Sequence, residues 1–388
     1  MKILFLHNKY LIAGGEDVST QSEIDLLKKH GHHVYVIYAN NEIIDQMSKI
    51  ELVANTIWSK KYYREISSHL KANKYDIVHV QNFFPLLSPS IFKAAKDNNV
   101  KVVMSVRNYR LICPNALMFI QDSVCQRCVG KIIPYPSVLY KCYKGSFSAT
   151  FVTAAMLSYH NLLRTWHKQI DGFIAISDFV KSQLLLGGFD ENKIFVKHNF
   201  VGNPPKFNVF AKKQYVYLGR LSVEKGIDVL LQAFQTEALK QHDLVIIGEG
   251  PLAPNVLSAA SQNINIKYFG KLSPAEAYKI VGLSRALIFS SKWLEPFGRT
   301  IVESFASGTP VIGAAVGGVS ELIVDGVNGY LFNPNIFTDL VDKIIKIDNA
   351  PNYAELRTNA YHSYTKYFTE DVNYERVMEI YNDVLESN

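Results

Sequence analysis

The chain has 388 residues, 48% of them apolar and 20% charged, with a formal net charge of +6. That length exceeds one ordinary core and calls for two domains, and the balance excludes a disordered chain. No apolar run is long enough for a transmembrane helix, and the opening MKILFLHNKY lacks the cleavage pattern of a signal peptide, so the expected compartment is the cytoplasm.

The first element in chain order is a buried strand at Ile3–Leu6. Gly14-Gly15-Glu16 follows it, at the start of a helical stretch, Glu16–His30. Two glycines ahead of a helix let a ligand approach the backbone and aim unpaired N–H groups at an anion. A plain turn accounts for the same residues. Strands at Val34–Tyr38, Ile77–Val80, Val102–Val106 and Phe173–Ile176, with a helix at Pro89–Asp97, continue a βα alternation. Such alternation predicts a parallel sheet covered by helices.

Before the last of these strands the composition changes. From Ser123 to Ile170 there is no Asp or Glu, while Arg127, Lys131, Lys141, Lys144, Arg164 and Lys168 are interleaved with Tyr135, Tyr140, Tyr143, Phe147, Phe151, Tyr159 and Trp166. A basic face with aromatic anchors suits an anionic membrane surface or a phosphate-bearing acceptor. No nucleic-acid motif accompanies it, so nucleic acid is not an expected partner. The four cysteines, Cys113, Cys125, Cys128 and Cys142, fall in the same neighbourhood. Disulfides are rare in a cytosolic chain, so clustered thiols with a C-x-x-C pair suggest a structural zinc; packing as small hydrophobes is the alternative.

Val201–Lys213, with two prolines and no helical period, reads as a linker. Beyond it the theme repeats, with strands at Tyr215–Leu218, Leu244–Ile247, Ile266–Phe269, Ala286–Phe289 and Pro310–Gly313. Helices are expected at Ile227–Gln235, Pro274–Val281 and Ile301–Ala306, and an amphipathic tail helix at Glu370–Glu386. The expected architecture is α/β: two Rossmann-like, doubly wound domains, 1–203 and 212–369, with a cleft between them. The tail, 370–388, should pack back onto the first. Ligands of such sheets sit beyond the carboxyl ends of the strands.

Three motifs fall at those ends. In Gly219-Arg220-Leu221-Ser222-Val223-Glu224-Lys225-Gly226, an arginine fork and a lysine point charge can grip a diphosphate. They would stabilise the charge that grows there as a sugar departs; a solvated surface cluster is the competing reading. Gly248-Glu249-Gly250-Pro251 is a tight turn, structural or ligand-facing. Glu295 and Glu303 flank Pro296-Phe297-Gly298-Arg299-Thr300, with Glu295 in a loop and Glu303 about two turns into a helix, on the order of 10 Å away. That spacing is too wide for a retaining glycosidase pair and suits hydrogen bonds to two ends of one donor. Backbone N–H groups from Gly298 to Ile301 would open the helix toward a phosphate.

The succession G-R-x-x-x-x-K-G, G-E-G-P, E-P-F-G-x-x-x-x-E and G-G-V-S-E-L-I resembles the retaining glycosyltransferases of family four, which have the two-domain GT-B fold. The resemblance spans the chain and is strongest from Gly219 to Gly329. It implies that Arg220 and Lys225 hold the donor diphosphate, with Thr300 near the phosphates. Glu295 and the backbone near Gly298 would hold sugar hydroxyls, and Glu303 the ribose hydroxyls. The backbone beside Gly270 and Lys271 would line the base pocket. Gly15 would close on the diphosphate from the first domain, and Gly14, Gly219, Gly248, Phe297 and Arg299 would complete the donor site.

The stretch Arg107-Asn108-Tyr109-Arg110-Leu111-Ile112-Cys113-Pro114 resembles the H-N-Y-R-L-x-C-P segment of members that build bacterial surface polysaccharides. Arg107 stands where the family has a His that touches the sugar near its sixth carbon. It would either grip a carboxylate there, as in a uronic acid donor, or stand aside. The implied activity is transfer of a sugar, with retention, from a UDP- or GDP-type nucleoside-diphosphate sugar to a saccharide or lipid-linked acceptor at the inner face of the membrane. Arg220 and Lys225 would make a catalytic metal unnecessary. A nicotinamide-dependent oxidoreductase, which would lack its G-x-G-x-x-G, and an inactive subunit of a polysaccharide-assembly complex are the alternatives.

Overall fold

The computed structural model describes residues 1–11, 14–202 and 212–387. The linker expected at Val201–Lys213 therefore lies, from 203 to 211, outside the described residues. The chain forms two compact units: Met1–Met118 with Cys125–His198 and Asn373–Asn388, and Phe119–Val124 with Asn199–Val372.

The strands in chain order are β1 (Lys2–Lys9), β2 (His33–Asn40), β3 (Ile77–Asn82), β4 (Lys101–Val106), β5 (Phe119–Ile120), β6 (Ser123–Val124), β7 (Gly172–Ala175) and β8 (Ile194–Val196). They continue as β9 (Gln214–Leu218), β10 (Asp243–Ile247), β11 (Ile266–Tyr268), β12 (Ala286–Phe289), β13 (Val311–Ala314) and β14 (Gly329–Phe332). The first unit's sheet runs β2-β1-β3-β4-β7-β8, with parallel pairing throughout. Ile3 to Asn8 of β1 are buried without alternation, as expected of a strand covered on both faces. The tail helix Glu370–Glu386 sets Val377, Ile380, Tyr381 and Val384 into that unit's core with Ile3, Phe5, Ile24 and Leu27. Their spacing of three, one and three is a single helical stripe.

The second unit's sheet runs β11-β10-β9-β12-β13-β14, again parallel. Numbered within the unit this is 3-2-1-4-5-6, the Rossmann order, and it reverses direction between β9 and β12. In the first unit the reversal falls between β1 and β3. No helix among the described residues is long and apolar enough to cross a membrane.

The boundaries differ from expectation in two places. The two-residue strands β5 and β6 form an antiparallel hairpin that belongs to the second unit, not to 1–203. Its Asp122 holds Lys292 Nζ at 2.8 and 3.0 Å. The second unit also starts at Asn199, because Val201 N–H donates to Phe368 O (3.2 Å) and Val201 O accepts from the Tyr364 hydroxyl (2.9 Å). Strands β8 and β14 were not expected either; each is only three or four residues long, below the length at which a pattern can be read.

Candidate active site

The reversal between β9 and β12 brings two of the sequence motifs together. Strand β9 hands over to Gly219-Arg220 and a 3-10 turn, Val223–Lys225; its neighbour β12 hands over to the loop that carries Glu295. Lys225 Nζ lies 2.6 Å from Glu295 Oε2. The same oxygen accepts from Ser291 Oγ (3.0 Å) and Trp293 Nε1 (2.8 Å). Among the described residues no hydrogen bond to Oε1 is found. Lys225 Nζ also stands 5.3 Å from the Trp293 ring centroid and 5.6 Å from that of Phe289, within cation–π range.

Arg220 joins this cluster as a more solvated cation, its side chain 62% exposed. Its guanidinium donates to the Glu224 carboxylate, and its Nε to Ser222 Oγ at 3.3 Å. Burial pushes the Glu224 carboxyl up, but the Ser222 hydroxyl and the Arg220 guanidinium outweigh it and hold that carboxyl below its usual range. Each cation thus rests on a carboxylate, and an entering diphosphate would compete for both.

Two glycines fix this geometry. Gly248 has φ +140°, and a Cβ there would lie 1.9 Å from Gly219 O. The Gly248 turn abuts the Gly219 loop, and Leu221 N–H donates to Glu249 O (2.9 Å). Packing is therefore reason enough for Gly219 and Gly248, both expected to contact the donor. Gly317 has φ +56°, and a Cβ there would meet Glu295 O at 2.4 Å. Gly318 N–H donates to the same carbonyl (2.8 Å), so the G-G-V-S-E-L-I motif sets the backbone of Glu295.

The helix Arg299–Ala306 opens at Gly298, whose φ is +102°. Glu303 is its fifth residue, hence just over one turn in rather than two. Arg299 Nε donates to Glu303 Oε1 (2.9 Å), and Tyr278 bonds the same carboxyl. Burial still holds the Glu303 carboxyl above its ordinary range, against the pull of Arg299 and Tyr278. Thr300 is half-buried in the first turn of this helix. The Phe297 side chain is only 2% exposed and packs edge-on to Phe368 at 6.1 Å, so any contact with a donor would come from its backbone. Gly270 O accepts from Gly248 N–H (2.8 Å), and Lys271 beside it is exposed.

Sequence reasoning passed over Lys292, Ser291 and Trp293. Lys292 is buried and reaches Asp228 (2.8 Å) as well as Asp122 (2.8 Å). Burial draws its ammonium down, but the two carboxylates hold it above an ordinary lysine. The available signal was position: all three residues lie between the end of β12 and Glu295.

In the first unit Gly14 caps the helix Gly15–Lys29, and its N–H donates to Asp17 Oδ2 (2.9 Å). Asp17 Oδ1 meets His7 Nε2 at 2.8 Å. Among the described residues nothing lies within 4 Å of where a Cβ would stand at Gly14 or Gly15. Arg107 is occupied: its side chain is 5% exposed, NH2 lies 2.9 Å from Glu23 Oε2 and Nε donates to Gln81 Oε1 at 3.0 Å. Lys197 Nζ stands 3.1 Å from the other Glu23 oxygen. Arg107 would have to give up Glu23 to hold a uronic acid. The four cysteines lie in the same unit, all reduced, Cys113 and Cys128 buried and the other two half-buried.

Comparison with known proteins gives the family and the fold. Residues 13–202 match Glycosyltransferase Family 4, and residues 204–363 match Glycosyl transferases group 1. The chain belongs to the family-four glycosyltransferases. This glycosyltransferase is 24% identical over 402 aligned positions to an uncharacterised 42.6 kDa protein of the cps region of Klebsiella pneumoniae, covering 95% of both chains. A glycosyltransferase of Rickettsia africae superposes with a TM-score of 0.70 at 21% identity, over 100% of this chain and 99% of the other. Anabaena Alr3699/HepE, solved in complex with UDP, superposes at 0.68 with 17% identity, over 98% and 100%. The fold is GT-B. Neither the oxidoreductase nor the inactive-subunit alternative gains support.

Proposed function

We propose that this glycosyltransferase moves a sugar from a UDP-sugar, with retention of configuration, to a lipid-linked saccharide in surface-polysaccharide assembly. The observation that carries the reading is the Lys225–Glu295 pair, 2.6 Å apart at the reversal of the second sheet. Lys225 and Arg220 take the diphosphate, Glu295 Oε1 accepts a sugar hydroxyl, and Glu303 faces the ribose. The two carboxylates of the motif, Glu295 and Glu303, serve as hydrogen-bond acceptors at the two ends of the donor in this reading, so a same-face substitution is favoured over a double displacement. In that step the bond from the anomeric carbon to the diphosphate breaks as the acceptor oxygen attacks from the same side. The acceptor proton passes to the leaving diphosphate oxygen.

The fixed cations stabilise the charge that develops on the leaving group, so catalysis needs no metal ion. The likeness to the UDP-bound Anabaena protein favours uracil over guanine, and the Klebsiella relative favours a polysaccharide context. The acid-free, basic and aromatic stretch 123–170 is the proposed contact with the inner membrane face, where a lipid-linked acceptor would be presented.

Calorimetry with UDP, GDP, ADP and their sugar conjugates, run with EDTA on wild type and Lys225→Ala, tests the donor site. Saturable UDP binding that EDTA leaves intact and the variant weakens is expected. Binding indifferent to the variant would sink the site, and loss of turnover in EDTA would sink metal independence. The anomer of the product, read by proton NMR, tests retention.

A further inference from the structure

The loop between β12 and the helix Arg299–Ala306 carries Glu295 and the two residues that bond its carboxylate, yet from Ser290 to Gly298 it is neither helix nor strand. Ser290, Ser291, Lys292, Trp293 and Glu295 are all buried, and buried backbone with no ladder of its own must find partners elsewhere. Two bonds zip it to the turn after β9: Ser290 Oγ donates to Lys225 O (2.9 Å) and Lys292 N–H to Glu224 O (2.9 Å). A Cβ at Gly226, whose φ is +66°, would lie 1.9 Å from Ser290 O, so the two loops are in contact there. The third tie is the Lys292 side chain, and it ends on a hairpin. We infer that the hairpin β5–β6 is a positioning element of the donor site: Asp122 at its tip fixes Lys292, and through Lys292 the loop that sets Ser291 and Trp293 on Glu295.

The ion pair does more than neutralise a buried charge. Lys292 Nζ lies 2.8 Å from Asp228 Oδ2, on the second residue of the helix Ile227–Phe234. That carboxylate alone balances the ammonium, which a buried lysine requires. Asp122 nevertheless brings both its oxygens, at 2.8 and 3.0 Å. An ammonium gripped by two carboxylates is a poor partner for a third anion, which separates Lys292 from the proposed phosphate ligands Lys225 and Arg220. The second carboxylate is surplus as charge, and what it adds is a fixed direction for the Lys292 side chain.

The hairpin in turn depends on this contact. Its strands are two residues each, joined by Gln121-Asp122 with φ +49° and +56°. Positive φ at both central residues gives the twist that hairpins favour, but it places two side-chain-bearing residues in the region that suits glycine and asparagine. A two-stranded hairpin is marginal in water even when longer. Phe119 at its base is buried, and Asp122 anchors the tip.

On either side of Lys292, Ser291 Oγ and Trp293 Nε1 donate to Glu295 Oε2 at 3.0 and 2.8 Å. With the residue between them pinned, these two donors keep one orientation and Glu295 one rotamer. Among the described residues Asp122 bonds none of the three. It acts through Lys292, and a misplacement of about 1 Å at a reacting site costs on the order of 10²-fold in rate.

The inference rests on the donor reading of Glu295, so its test has one arm that does not. In the full-length chain, hydrogen exchange read by mass spectrometry should show the segment 286–298 exchanging faster in Asp122→Asn than in wild type, whatever the site binds. With the best sugar nucleotide, Asp122→Asn should lower kcat/KM by about 10- to 100-fold, while the Kd of the free nucleoside diphosphate stays as in wild type because Lys225 and Arg220 are untouched. Asp122→Glu keeps the carboxylate and should recover part of the loss. Asp122 is half-exposed and Lys292 keeps Asp228, so the unfolding midpoint should hold. In a Lys292→Met background, Asp122→Asn should add little further loss, since residues on one path are not additive. Wild-type exchange with wild-type kcat/KM in Asp122→Asn would overturn the inference. So would an equal loss of free nucleoside diphosphate binding, which marks a general disturbance of the unit. If Lys225→Ala leaves donor binding intact while Asp122→Asn still loosens the loop, the donor reading fails and the hairpin's hold on the loop stands.

Discussion

Lys225 and Glu295 neutralise each other until a donor arrives, so each should matter differently when changed. Lys225→Ala removes a fixed cation from the leaving group and is expected to lower kcat/KM on the order of 10² to 10³, read by steady-state assay with the best donor. Glu295→Gln keeps Lys225 and should raise the KM for the sugar nucleotide while leaving binding of the free nucleoside diphosphate almost unchanged. If UDP affinity fell as steeply as that of its sugar conjugate, Glu295 would not be a sugar ligand. Both residues were legible in the sequence because each sits in a dense local motif. Lys292 was not, since its partners Asp122 and Asp228 are 170 and 64 positions away. Arg107 shows the converse: the motif flagged it, but the partner it rests on is Glu23, 84 positions earlier.

That buried cluster also carries a pH dependence. Burial raises the Glu23 carboxyl, but Lys197, His79 and Arg107 overcome it and hold it at about 2, while burial pulls His79 down to about 4. Both groups bind fewer protons folded than unfolded, so folding is favoured at higher pH. The His79 contribution is complete above about 6.5 and fades as pH falls toward 4, amounting to roughly 3 kcal/mol at most. Glu23 adds a second loss between its ordinary 4.5 and about 2. Urea unfolding of the first unit should therefore weaken between pH 7.5 and 4.5, and His79→Gln should flatten that slope. Glu23→Gln leaves Arg107 and Lys197 buried without their anion, at a cost of about 3–5 kcal/mol; unfolding midpoints near neutral pH check it.

Among the elements, the tail helix makes the most specific claim. It contributes four side chains to the first unit's core, although more than 160 positions, from 199 to 372, lie between it and that unit's preceding segment. Ile380→Ala should cost about 2–5 kcal/mol, seen as a lower unfolding midpoint. Gly172, in β7, should respond alike: a Cβ there would meet Val384 Cγ2 at 2.8 Å and Phe195 at 3.3 Å. Gly172→Ala should then destabilise without touching the donor site, and Val384→Ala should relieve part of the loss in the double variant. The amphipathic stripe of the tail could be read from spacing alone, as could β1, β9 and β12 from their unbroken apolar runs. The hairpin β5–β6 could not, because two-residue strands held by Asp122 on Lys292 leave no periodic trace.

At the scale of the whole molecule, the two units differ: the second gathers the groups proposed to hold the donor, and the first carries the unusual surface. The helix Phe147–Leu162 presents Phe147 and Phe151, 58% and 57% exposed with rings 6.5 Å apart, and Leu162 on the same stripe. Leu139, Ile132 and Ile133 are exposed nearby in sequence, among Lys131, Lys141 and Lys144. Apolar side chains left in water beside fixed cations, with no acid in the stretch, match a bilayer bearing anionic headgroups. Vesicles of phosphatidylglycerol and phosphatidylcholine should therefore bind the protein in a flotation assay, and pure phosphatidylcholine should bind it far less. Raising the salt from 0.1 to 0.5 M should weaken the contact, because screening acts on the cations and not on the aromatics. Phe147→Glu with Phe151→Glu should abolish it at either salt while calorimetric donor binding stays as in wild type. Retained binding in that double variant would mean the stretch is not the membrane face, and a loss of donor binding with it would mean the helix supports the fold instead.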